Sequence, residues 1–155
     1  MRYSGLRRCG FAAAAFVSLV TSAGEFNPED FSINTFKNFH RQHDLEFGIP
    51  ADTNLYDVDA HMHANAMVVK YRGWSREIPE KKREFIRQLA AAFRIESFFD
   101  KYDREVEFIE QGRAYWVPVQ RDVFPFFGKE VRNGAECTIY ARYVGMCGRE
   151  RVHLM

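Results

Sequence analysis

The segment YDVDAHMHANA, Tyr56 to Ala66, sets Asp57, Asp59, His61 and His63 at every second position. Alternate residues of a strand share one face and sit about 6.6 Å apart. His61 and His63 can therefore converge on one ion. Asp57 and His63 lie roughly 20 Å apart along a straight strand and cannot share it. A zinc ion takes three or four protein ligands at about 2.0–2.2 Å, so another element must contribute. HRQH offers His40 and His43, three residues apart and on one face if that stretch is helical. His153, near the end of the chain, is a further candidate. In such a site Asp59 would orient an imidazole or act as a base, and the reaction would be a hydrolysis. The competing reading is plainer: four polar residues on the wet face of a half-buried strand.

Other candidates bind rather than react. Trp74, Trp116 and Tyr115, with Tyr71 and Tyr140, could line a ligand or partner face, although aromatic rings also fill cores. The FPFF run at Phe124–Phe127 is core if buried and a partner patch if exposed. Glu105, Glu107 and Glu110 could do acid–base work, but no neighbour in sequence sets their protonation. No glycine-rich phosphate loop or nucleophile elbow is present.

The elements that must position these residues follow from periodicity. SINTFKNFHRQHDLEF reads as an amphipathic helix with Phe36 and Phe39 inward and Ser32 as cap. LYDVDAHMH alternates and reads as a strand, ANA as a turn, and MVVKYRGW as the partner strand. SREIPEKKREFIRQLAAAFR is a helix with Pro79 in its first turn and Phe85, Ile86, Leu89 and Phe93 as its stripe. The polar residues between them read as a solvated face. EVEFIEQGRAYWVPV is a hairpin around Gln111-Gly112. Val119, Val123, Phe127 and Val131 have helical spacing, broken or kinked at Pro125 and capped at Asn133-Gly134. AECTIYARYVGM and ERVHLM close the chain as two antiparallel strands. Short connections favour antiparallel pairing. The expected fold is α+β: an antiparallel sheet of about six strands packed by two or three helices, with a sheet curled toward a small barrel as the alternative.

The first residues differ in kind. Arg2, Arg7 and Arg8 precede an apolar run from Cys9 to Val20, and Thr21, Ser22 and Ala23 follow. That is the pattern of a secretory signal peptide, residues 1–23, ahead of a single domain over 24–155. The run is shorter than the roughly 20 residues a membrane-spanning helix needs. Cleavage would take Lys+Arg from 22 to 19 against 21 Asp+Glu, a net charge of −2. A slightly acidic domain is a poor binder of nucleic-acid phosphates. Cys137 and Cys147 would remain. A straight strand would hold them about 33 Å apart, against roughly 4.4–6.8 Å between bridged Cα atoms, so two unbridged thiols are expected.

Two resemblances bear on function. VDAHMH is similar to the first-strand H-x-H motif of the amidohydrolase metal enzymes, but those are barrels of about 250 residues with regular strand–helix repeats. The 132 residues after Ala23 lack that repeat, and the assignment is rejected. AMVVKYRGWSRE, YWVPVQ and GAECTIYARYVG together resemble segments of small exported bacterial proteins of no assigned function. That resemblance implies no catalytic residues. The expectation is a periplasmic or secreted non-enzymatic module of the cell envelope. It would bind a protein partner or small ligand, without nucleic acid, cofactor or membrane embedding. The alternative is a zinc-dependent hydrolase using His61 and His63, completed by His40 or His43.

Overall fold

The computed structural model describes residues 27–47, 55–58, 63–94, 100–148 and 150–155. The leader, with its cleavage point, and Asp59 and His61 of the alternating segment lie outside that set. The architecture is α+β, as expected.

A short 3-10 helix at Pro28–Asp30 leads into strand β1 (Ser32–Asn34), helix α1 (Phe36–Phe47) and strand β2 (Leu55–Val58). Strand β3 (Ala64–Glu77), helix α2 (Glu80–Phe93), and strands β4 (Tyr102–Glu110) and β5 (Arg113–Gln120) follow. A second 3-10 turn at Phe124–Phe126 precedes β6 (Glu136–Gly148) and β7 (Glu150–Leu154). All seven strands form one sheet with the path β2-β6-β3-β4-β5. β7 pairs with β6 on the side opposite β2 and β3. β1 adds to β3 in parallel, from Ser32 against Asn65 to Asn34 against Met67. The last residue turns the sheet back on itself: Met155 N donates to Pro118 O (3.0 Å), and Gln120 N donates to Met155 O (2.9 Å). β7 thus meets β5 in parallel, and the sheet curls almost to closure.

Where periodicity was strong, the elements match it. The β4–β5 hairpin turns on Gln111 and Gly112, both with positive φ (49° and 80°), the geometry of the two-residue turns that fit strand twist. α2 buries Phe85, Ile86 and Leu89. Cys137 and Cys147 are free and buried near the two ends of β6.

Four local expectations fail. Ser32 does not cap α1; it opens β1, and Thr35 Oγ1 accepts from Asn38 N instead (3.0 Å). ANA is not a turn. β2 and β3 do not form a hairpin but lie one after the other along the same side of β6. The Val119–Val131 spacing does not make an α-helix. Only a 3-10 turn forms, with Pro125 as its second residue, because proline removes a donor and fixes φ. Lys82 is not on a solvated face: it is 1% exposed.

Two cores result. On the inner face of the curl, Met67, Val69, Val106, Phe108, Val117, Val119 and Ile139 pack with Phe36 of α1 and Met155. On the outer face, α2 packs Phe85, Ile86 and Leu89 against Val144, Val152 and Leu154. Phe124 and Phe127 pack partly against the inner core, and Phe126 is exposed. A bulge in β3 between Tyr71 and Ser75 contains Gly73 at φ +79°. Such bulges bend a strand and help a sheet curl.

Candidate functional site

β5 and β7 lie side by side, joined by the backbone bonds of Met155. Toward Arg113 and Glu150 they leave a cleft of about 290 Å³. β5 contributes Arg113, Ala114, Tyr115, Trp116 and Val117; β7 contributes Glu150, Arg151 and His153; α1 contributes Phe36 and His40. By strand alternation Arg113 and Tyr115 share one face of β5, and Arg151 and His153 share one face of β7, while Trp116 and Glu150 belong to the opposite faces.

α1 is held over this seam by a carboxylate from another element. Glu110, 6% exposed at the end of β4, accepts from Phe36 N (2.9 Å) and Lys37 N (3.2 Å). These are donors in the first turn of a helix, which have no partner inside it. The helix then stacks Phe36 on Tyr115 (ring centroids 4.2 Å, planes 13° apart). One turn on, His40 Nε2 lies 2.9 Å from His153 Nε2. In that contact one imidazole donates and the other accepts, so the accepting ring is neutral. Burial among the surrounding rings, the neighbouring His153 and the guanidiniums of Arg151 and Arg113 hold His40 down to about 2. Burial, with Arg151 and His43, holds His153 down to about 3. The Nδ1 atom of His153 is buried without a hydrogen-bond partner.

Charge is unevenly matched around the cleft. Arg151 pairs with Asp44, and its Nε is buried without a hydrogen-bond partner. Arg113 makes no ion pair among the described residues; its guanidinium lies 5.6 Å from the Tyr115 ring centroid. Glu150 is the one acid in the lining, and Lys82 holds it. Lys82 also pairs with buried Glu105, which Arg76 meets from the other side. Arg76 in turn covers the Trp116 ring at 4.0 Å.

The residues expected from sequence are partly gathered here. His40, Tyr115 and Trp116 line the cleft. His43 and His63 lie behind it, ring centroids 6.4 Å apart, with Phe39 and Tyr143 against them. Trp74 is elsewhere, 57% exposed, with Arg72 over its ring at 5.4 Å. His61 is outside the described residues. Among those described, no group of three or more His, Cys, Asp or Glu side chains is placed to hold a metal ion. The acid–base candidates have structural duties: Glu105 serves Lys82, Glu107 faces Arg72 at 3.9 Å, and Glu110 caps α1. Sequence reasoning missed Arg113 and Arg151, although R-x-Y and R-x-H on two strands were the available signal.

No family model, curated protein or solved structure matches the chain. Among the described residues, no helix is long and apolar enough to cross a membrane.

Proposed function

We propose that the protein is a small exported, non-enzymatic binding module whose β5–β7 cleft takes a small ligand. One observation carries this reading: an aromatic-walled cleft with unmatched polar and cationic groups, where two strands part and a helix bridges them. Mostly apolar concavities with a few convergent polar groups are the usual form of small-molecule sites. Export rests on the leader pattern at residues 1–23. Saturation-transfer NMR against a mixed library of small neutral and charged compounds tests the site. Hits should lose their signal with Tyr115→Ala and keep it with Trp74→Ala. A library without hits, or hits that follow Trp74 instead, sinks the reading.

A zinc-dependent hydrolase is the second reading, and the His40–His153 pair favours it. Two zinc-bound imidazole nitrogens at about 2.0–2.1 Å in tetrahedral geometry sit roughly 3.3 Å apart. The observed 2.9 Å needs only a small opening. His43 or His63 would have to move in as the third ligand. Metal per chain, measured on untagged protein from zinc-supplemented medium, decides it. Near-stoichiometric zinc lost with His40→Ala supports the enzyme; metal unchanged by that substitution removes it.

A further inference from the structure

We infer that the ligand of the β5–β7 cleft is a small organic carboxylate. Its anionic end would meet Arg113 and Arg151, and its apolar body would lie against Tyr115 and Trp116. The inference rests on the cleft being the ligand site and adds the class of ligand.

The charges point one way. Arg113 lines the cleft without an ion pair among the described residues, and the carboxylate of Glu110, its neighbour across the β4–β5 ladder, is taken up by Phe36 N and Lys37 N. Arg151 gives one nitrogen to Asp44 and keeps its buried Nε without a hydrogen-bond partner. Glu150, the single acid of the lining, is already held by Lys82. A cationic ligand would meet two guanidiniums and find no available carboxylate. A carboxylate matches the guanidinium fork and forms charge-assisted bonds with it.

Shape narrows the class further. The volume of about 290 Å³ is at the small end of the roughly 300–1,000 Å³ typical of ligand pockets. A nucleotide or polyphosphate would bring more charge than two guanidiniums neutralise. Tyr115, stacked at 4.2 Å on the fully buried Phe36, presents an apolar edge. A bare inorganic anion would leave that edge unused. The His40–His153 pair adds hydrogen-bonding atoms without adding charge. A small acid carrying a hydrophobic group fits all of these features.

The test compares matched probes on the full chain in a Trp74→Phe background, so that Trp116 reports alone. Phenylacetate, phenylacetamide and inorganic phosphate are titrated against Trp116 emission. Phenylacetate should bind at least about tenfold more tightly than the amide, as charge-assisted bonds predict. Added salt should weaken the acid and leave the amide unchanged. Arg113→Gln should remove the difference, with an unchanged melting temperature showing that the fold is intact. Equal binding of acid and amide overturns the carboxylate inference and leaves the cleft as a ligand site. Phosphate binding without phenylacetate binding also overturns it. Silence from all three probes at millimolar concentration overturns the inference and counts against the cleft itself.

Discussion

At the scale of single residues, the neutral imidazole pair is the most consequential feature. His40 and His153 hold pKa values near 2 and 3 in the fold, against about 6.5 in an unfolded chain. A group with a depressed folded pKa favours the fold above its unfolded value and penalises it as pH falls. Below pH 6.5 the unfolded chain takes up protons that the native pair refuses, at about 1.4 kcal/mol per pH unit for each histidine. The melting temperature should therefore fall steadily from pH 6.5 toward pH 3. His153→Phe should flatten that slope by about half. A wild-type melting curve unchanged between pH 7 and pH 4 would refute the assignment. Spacing showed that His40 and His43 share a helical face. It could not show that the facing partner was His153, 113 residues away, because periodicity assigns faces and not which faces meet.

At the scale of elements, α2 is fastened as much by charge as by its apolar stripe. Lys82 lies buried between Glu105 and Glu150, and Glu105 is fully buried. Removing one member of a buried ion pair strands the other. Lys82→Ala should cost about 3–5 kcal/mol in urea unfolding. Lys82→Met with Glu105→Gln should cost clearly less, since no buried charge is left over; equal losses would mean that packing alone is responsible. The strands and α2 were legible because alternation and the 3.6-residue stripe are imposed by a single sheet or helix face. β1 was not, since three residues carry no period. Lys82 was misread because a lysine inside a helix is polar by type and buried only by its partners on other elements. Arg113 and Arg151 escaped notice for the same reason: each looks like an ordinary surface cation until β5 and β7 are set side by side.

At the scale of the whole molecule, one residue ties the curl together. Met155 is fully buried and makes both backbone bonds to β5. Sequence patterns predicted an antiparallel sheet with a tendency to curl, but closure depends on a pairing between distant strands that no local pattern encodes. The cleft exists because that closure is partial. For the chain as a whole, export is the remaining expectation. Expressed from residue 1 in a bacterial host, it should appear outside the cytoplasm with a new N-terminus near Gly24, as intact-mass measurement would show. Full-length protein confined to the cytoplasm would rule out the leader.

The carboxylate of Glu110 also sets an order of events in time. It caps α1 from 74 residues away in sequence, so the first turn of that helix lacks its acceptor until the β4–β5 hairpin exists. Short helices are marginal on their own, and hairpins form within microseconds. The hairpin should therefore come first and α1 dock late, with the cleft assembled last. Glu110→Ala should then speed unfolding and leave the refolding rate nearly unchanged in a stopped-flow denaturant series. A refolding limb slowed in proportion to the lost stability would place α1 in the folding nucleus instead. If docking is late, it is also the step most readily undone, and the site can open by releasing one helix while the sheet stays folded.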